Sequence, residues 1–160
     1  MATTLSSSTL TVKLTESILL NGIDQGGTNT LAISGIKQVQ KRIITMPFDS
    51  ASSPVDGAER QIFGFAASRS SGNYICSDVR YVRITNLDNS VAVDITTIGS
   101  NSTDYRQRLD PGCSMLFTSS SSTGLVDYAD VSGNTLENLT EIHAETLTAA
   151  CDLELFIATV

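Results

Sequence analysis

Residues 81–95 read YVRITNLDNSVAVDI, and residues 108–117 read RLDPGCSMLF. Each stretch is an apolar alternating run, a knot of turn-forming residues and a second apolar run. In the first, Val82 and Ile84 fall on one face with Tyr81, Arg83 and Thr85 on the other, and beyond the knot Val91, Val93 and Ile95 share a face. That period of two is the signature of half-buried strands. The knots themselves read as turns. In LDNS, 87–90, the Asp and Asn side chains bond their own backbone and make a hairpin corner. In LDPGCS, 109–114, Pro111 pre-sets φ at the first central position of a turn, and Gly112 takes the positive φ that a type II turn needs at the second. Turn chemistry alone accounts for both knots, with no need of a site.

The same pattern extends in both directions. Residues 9–15, TLTVKLT, place Leu10, Val12 and Leu14 on one face and Thr9, Thr11, Lys13 and Thr15 on the other, as a half-buried strand does. ILLNGI holds Asn21-Gly22, a dipeptide that tolerates positive φ at both centres of a tight hairpin turn. A Gly-rich corner is expected at 24–29, DQGGTN, followed by the strand TLAISGI. IKQVQKRIITM, 36–46, alternates less cleanly and reads as a strand, regular or bulged, ended by Pro47. Residues 48–60 are dense in Ser, Asp, Pro and Gly and read as a long loop. QIFGFAA, 61–67, is a strand broken by SRSSGN, 68–73. After a polar loop at 119–124, residues 126–140 admit a short helix, and EIHAETL and DLELFIATV close the chain as two more strands joined by TAA.

Eight to ten short antiparallel strands without a long helix make an all-β fold, a β-sandwich or jelly roll. At 160 residues the chain is one domain long, and a single β-sandwich domain is expected over 1–160, with residues 1–8 as a flexible N-terminal arm. Hydrophobic residues make up 41% and charged residues only 17%, a balance that suits strands better than long surface helices.

The formal charge of −7 argues against nucleic acid, because phosphate binding needs Lys and Arg that are scarce here. The first residues, MATTLSSSTL, carry neither the basic nor the apolar region of a secretory signal, and SILL at 17–20 is far short of the ~20 apolar residues that cross a bilayer. Neither a nucleic-acid nor a membrane partner is expected, and synthesis in a cytoplasm is. Cys76, Cys113 and Cys151 are odd in number and stand beside apolar residues, so buried free thiols are expected rather than a disulfide framework. NST at 101 and NLT at 138 match the glycosylation pattern, which has no consequence without secretion.

The chain offers little chemistry. His143 is the only histidine, so any imidazole-based metal site or nucleophilic triad must include it. Between Ile142 and Ala144 it falls on the outward face of a strand and reads as a surface or interface residue. A Cys113–His143 thiolate pair lacks any nucleophile signature, and Ser114 in PGCSM lacks the Gly-x-Ser-x-Gly elbow. Glu141, Glu145, Asp152 and Glu154 would gather if the last two strands paired, and then read as a solvated acidic face rather than a cation site, which wants six or more converging oxygens. GGTN, 26–29, is a turn and not a phosphate cradle, since no helix follows it. Arg80, Arg83, Arg106 and Arg108 suit ion pairs, within the chain or across a subunit contact. No catalytic residue, metal ligand or cofactor is therefore assigned, and the chain is not read as an enzyme. A hydrolase on this scaffold is disfavoured by the single histidine and the lack of a paired-carboxylate motif, and a sugar-binding module by the absence of Trp.

The order of LTVKLTESILLNG, DQGGTNTLAISGI, QKRIITM, VRYVRITNLDNSVAVDI, RLDPGCSMLF and DLELFIA resembles the small virion structural proteins of tailed bacteriophages, notably marine and cyanobacterial ones. The strand ending in Asn-Leu-Asp and the later corner opening an apolar strand carry the resemblance, which covers more than half of the chain. It implies a non-enzymatic, self-associating β-protein of the virion. A capsid decoration or cement protein that binds and stabilises the head shell is the leading expectation, with the major capsid protein or other virion proteins as partners and a homo-oligomer, a trimer by preference. A tail or head–tail connector component, and a carbohydrate-binding attachment module, are the alternatives. The resemblance transfers no functional residue, because such proteins act through surface and not through a motif.

Overall fold

A computed structural model describes residues 6–48, 59–68, 70–100, 104–119, 124–127 and 137–160. Among them the chain forms strands β1 (Ser8–Glu16), β2 (Leu19–Leu20), β3 (Ile23–Asp24), β4 (Gly27–Ile36), β5 (Gln38–Met46), β6 (Arg60–Ala66), β7 (Tyr74–Ile75), β8 (Val79–Asn86), β9 (Val93–Gly99), β10 (Asp104–Leu109), β11 (Ser114–Thr118), β12 (Val126–Asp127), β13 (Glu137–Thr146) and β14 (Cys151–Thr159), with one 3₁₀ turn at Cys76–Asp78. No helix among these residues is long and apolar enough to cross a membrane.

Two sheets face each other. One runs β5-β14-β8-β11 and the other β10-β9-β13-β6-β7, with β12 attached to β13. All pairings are antiparallel except β6 with β7. The topology follows from one regularity: of the eight strands β5, β6, β8, β9, β10, β11, β13 and β14, the first pairs the last, the second the seventh, the third the sixth and the fourth the fifth. A single long antiparallel ribbon has thus been rolled up so that β14 also meets β8 and β13 meets β9. This is the jelly roll, an arrangement in which the apolar face of every strand turns inward. Val82 and Ile84 of β8, Val93 and Ile95 of β9, Ile142 and Ala144 of β13, and Leu153, Leu155 and Ile157 of β14 meet in that core, each almost fully buried.

The rolled ribbon changes what the two knots are. β8 and β9 lie in opposite sheets, as do β10 and β11. LDNS is therefore no hairpin corner; it and Asp110-Pro111-Gly112 are adjacent arches that carry the chain from one sheet to the other. The type II reading of the second holds. The Cys113 amide donates to the Asp110 carbonyl at 3.0 Å and Gly112 has φ +71°.

Residues 8–36 stand outside the sandwich. β1 pairs β4, and β2 pairs β3 around Asn21 (φ 52°) and Gly22 (φ 79°), so the expected Asn-Gly hairpin closes a long two-stranded ribbon. At about 3.3 Å per residue the strand path from Ser8 to Leu20 spans roughly 40 Å. The corner and the GGTN turn expected at 24–29 are instead an irregularity along this ribbon: Gln25 donates to the Ile18 carbonyl at 2.9 Å, Gly26 lies so near Glu16 that a Cβ there would stand 2.3 Å from its carbonyl oxygen, and β4 begins at Gly27. Of the residues expected as a flexible arm, 1–8, Ser8 belongs to β1, and residues 1–5 lie outside the described residues. So do most of the loop expected at 48–60, the NST of 101–103, and the greater part of the segment read as admitting a helix.

Candidate interaction surface

Among the described residues the ribbon is fixed to the body at its base. Leu10 and Val12 of β1 and Ile33 and Ile36 of β4 pack on Tyr81, Phe156, Ala158 and Val160, forming a small cluster separate from the main core. This cluster covers the outer face of the first sheet where β8 and β14 run side by side. Tyr81 meets Phe156 edge to face, with ring centroids 5.6 Å apart, a geometry that aligns the positive ring edge with the negative face. The alternation of 81–85 explains the placement: with Val82 and Ile84 committed to the core, Tyr81, Arg83 and Thr85 must face outward, and Tyr81 is buried under the ribbon base.

Beyond the base the ribbon is bare. Leu14, expected to be half-buried with Leu10 and Val12, is 52% exposed, because by that point the ribbon has diverged from the sheet and an open groove lies between them. From Lys13 to Ala32 every residue is exposed except Gly26. At the tip Ile18, Leu19, Leu20 and Ile23 are all more than half exposed, with Leu19 at 72%. Leu20 and Ile23 are cross-strand partners on one face, while Leu19 opposes Asp24 on the other.

Beside the ribbon base runs a groove of about 440 Å³, lined by Leu10, Val12 and Leu14 of the ribbon and by Tyr81, Leu116 and Phe156 of the sheet, with Lys13 and Arg83 among its polar members. Arg83 lies over the Phe156 ring at 5.7 Å and bonds Glu154, which also holds Lys41 at 2.7 Å. The hydrogen bond from Lys41, with the charges of Lys41 and Arg83, holds the Glu154 carboxyl below its ordinary range against the opposing effect of burial. Arg83 Nε is buried and makes no hydrogen bond.

The other residues singled out in the sequence are dispersed. β13 and β14 belong to opposite sheets, so Glu141 and Glu145 lie on one outer face and Asp152 and Glu154 on the other. The four acids do not form one face, and they are largely paired rather than solvated. Glu145 is buried against Arg106, Asp94 sits 3.3 Å from both Arg106 and Arg108, and Asp152 accepts from the Thr45 hydroxyl at 2.6 Å. The arginines thus form the ion pairs expected of them within the chain, except Arg80, which donates to the carbonyls of Ser77 and Val79.

His143 does face outward, between Glu141 at 2.5 Å and Glu59 at 3.6 Å. Cys113 sits on the arch between β10 and β11, on a different element and remote in the topology from His143 in β13. It is exposed, contrary to the buried thiol expected, whereas Cys76 and Cys151 are buried, and all three are free. Ser114 Oγ is 2.8 Å from Thr85 Oγ1, its cross-strand partner, with no base beside it. Among the described residues no group of three or more His, Cys, Asp or Glu side chains is placed to hold a metal ion. The bare ribbon tip is the feature that sequence reading missed. The apolar doublet flanking Asn-Gly was visible, but alternation alone assigns a strand a buried face without saying whether anything covers it.

No family model, no curated protein and no solved structure matches this chain.

Proposed function

We propose that the protein is a non-enzymatic structural component of a tailed-phage particle, a decoration protein that binds the assembled head shell as a homo-oligomer and reinforces it. The observation that carries this reading is the ribbon: the jelly roll presents a two-stranded arm whose outer half is exposed among the described residues and ends in four exposed aliphatic side chains. A two-stranded hairpin is marginal on its own in water, and an apolar patch of this kind marks a contact surface. The acidic, ion-paired outer faces and the phage-like order of strands and corners support the same reading. Jelly rolls serve viral shells and sugar-binding proteins alike, so the fold does not decide between roles. The arm favours assembly, because a sugar site needs a cleft with exposed rings rather than a projecting aliphatic tip.

The test is deletion. Heads made without the protein are expected to assemble in normal number but to rupture at lower temperature or at low salt, and adding the purified chain back is expected to restore them. Failure of head assembly itself would place the protein in an assembly step instead, and heads of unchanged resistance would remove the reinforcing role.

A further inference from the structure

We infer that the ribbon tip of one copy inserts into the groove beside the ribbon base of a second copy, making a head-to-tail contact. The inference rests on the self-associating part of the function proposed above and not on its phage assignment.

The two surfaces fit in kind. The tip offers Ile18, Leu19, Leu20 and Ile23 flanked by the carboxylates of Glu16 and Asp24; the groove offers Leu14, Leu116 and Phe156 flanked by Lys13 and by Arg83, which also pairs with Glu154. Apolar centre meets apolar centre, and the charges at the rims are opposite, which orients a contact and rejects the reversed one. The tip cannot fill the groove of its own molecule, because Leu10 to Leu14 of the same ribbon form one wall and the ribbon extends away from it. A second copy is the occupant whose complementary surface is already present in this structure.

Tip and groove are different patches, so the contact is heterologous: it closes into a ring when the rotation between copies permits and leaves a free tip and a free groove when it does not. The trimer expected from the sequence is one closed solution. Inserted tips would also supply the ribbon with the second layer it lacks.

The experiment uses the full chain and two variants: Leu19→Asp with Leu20→Asp at the tip, and Leu116→Asp at the groove. Light scattering on a sizing column is expected to give a multi-copy species for the parent and monomers for both variants, with unchanged circular dichroism. The decisive step is mixing the two variants. Each keeps the half that the other lacks, so a 1:1 complex is expected; a tip-to-tip or groove-to-groove contact gives none. A monomeric parent at high concentration, variants as oligomeric as the parent, or no complex on mixing would overturn the inference. Should Leu116→Asp disturb β11, a photo-crosslinking residue at position 20 of the otherwise unaltered chain decides instead. Attachment to residues 10–14 or 114–118 of another copy is expected, and attachment to another tip, or none between copies, overturns it. Because only the purified chain is used, its failure leaves the particle reading to be judged on particles, and the reverse holds too.

Discussion

The side-chain amide of Asn86 donates to the carbonyl oxygen of Leu109 at 3.1 Å and to that of Val91 at 2.8 Å, so one buried residue ties together the two arches that cross between the sheets. Its oxygen accepts from the Asp88 amide at 2.9 Å and from the Cys151 thiol at 3.1 Å. Its backbone completes the clamp: the amide donates to the Cys113 carbonyl at 3.0 Å and the carbonyl accepts from Gly112 at 3.1 Å. Asn is the residue that can do this, since it alone carries two donors and an acceptor on so short a side chain. Replacing it by Leu, of similar size, strands two buried carbonyls and an amide. Each orphaned group costs about 1–3 kcal/mol, and with partial relaxation the loss is expected to be roughly 2–4 kcal/mol in denaturant unfolding. A loss under about 1 kcal/mol would show that the arches hold themselves.

Gly112 tests the second arch separately. A Cβ there would meet nothing within 4 Å, so only its φ of +71° resists substitution. Gly112→Val is expected to cost on the order of 1–2 kcal/mol and Gly112→Asn clearly less, because Asn tolerates the left-handed region. Equal costs for the two variants would mean that the turn is not what constrains the position.

These arches show how far the sequence could be read. Val82, Ile84, Val91, Val93 and Ile95 face the core as their period of two requires, and the Pro-Gly turn is legible because only certain residues take its dihedrals. Which sheet each strand joins is not legible, because an arch and a hairpin draw on the same turn residues. Asn86 reads in the sequence as the end of a strand, yet its role depends on Val91 and Leu109 arriving from elsewhere in the roll. The ribbon is the same case in reverse: Leu10 and Leu14 are equivalent by period, and only the missing second layer over Leu14 distinguishes them.

Acid should weaken the fold through two carboxylates. Backbone amides of Ser90 and then Val91 bond Asp88 and hold it below the ordinary range, and Glu154 is held down first by Lys41. A carboxyl whose folded pKa is depressed stabilises the native state above the ordinary carboxylate pKa near ~4, and that stabilisation is lost as pH falls through the folded value. The thermal midpoint is therefore expected to be level with respect to these groups from pH 7 to about 5 and to fall below about 4. Glu154→Gln should lower it at pH 7 and converge on the parent in acid. A variant deficit that stays constant down to pH 2 would contradict this.

Thiol reactivity separates the three cysteines. Cys113 is exposed, whereas burial raises Cys76 and, with the charge of Asp88 adding to it, pushes Cys151 up to about 11. A thiol reagent at pH 8 is expected to modify one group rapidly in the native chain and three after denaturation, and Cys113→Ser should remove the fast one. Two fast groups would mean that the core near Cys76 or Cys151 opens readily.

Hydrogen exchange should grade the molecule in the same way. Amides of β8 and β14, central in their sheet, are expected to exchange slowest among the described strands, and those of the ribbon from Leu14 to Asn29 much faster in the dilute chain. Raising the concentration should slow exchange in the ribbon and leave β8 unchanged. Ribbon amides as protected as β8 in a monomer would show that the arm needs no partner.

The proposed reinforcement of a shell by many copies of this chain is tested most directly by counting copies in purified particles. Quantitative mass spectrometry against the major shell protein is expected to find the chain in near-stoichiometric proportion to the shell lattice. About a dozen copies or fewer would contradict the decoration reading and place the protein in a ring at the connector or tail, where cyclic symmetry sets such a number.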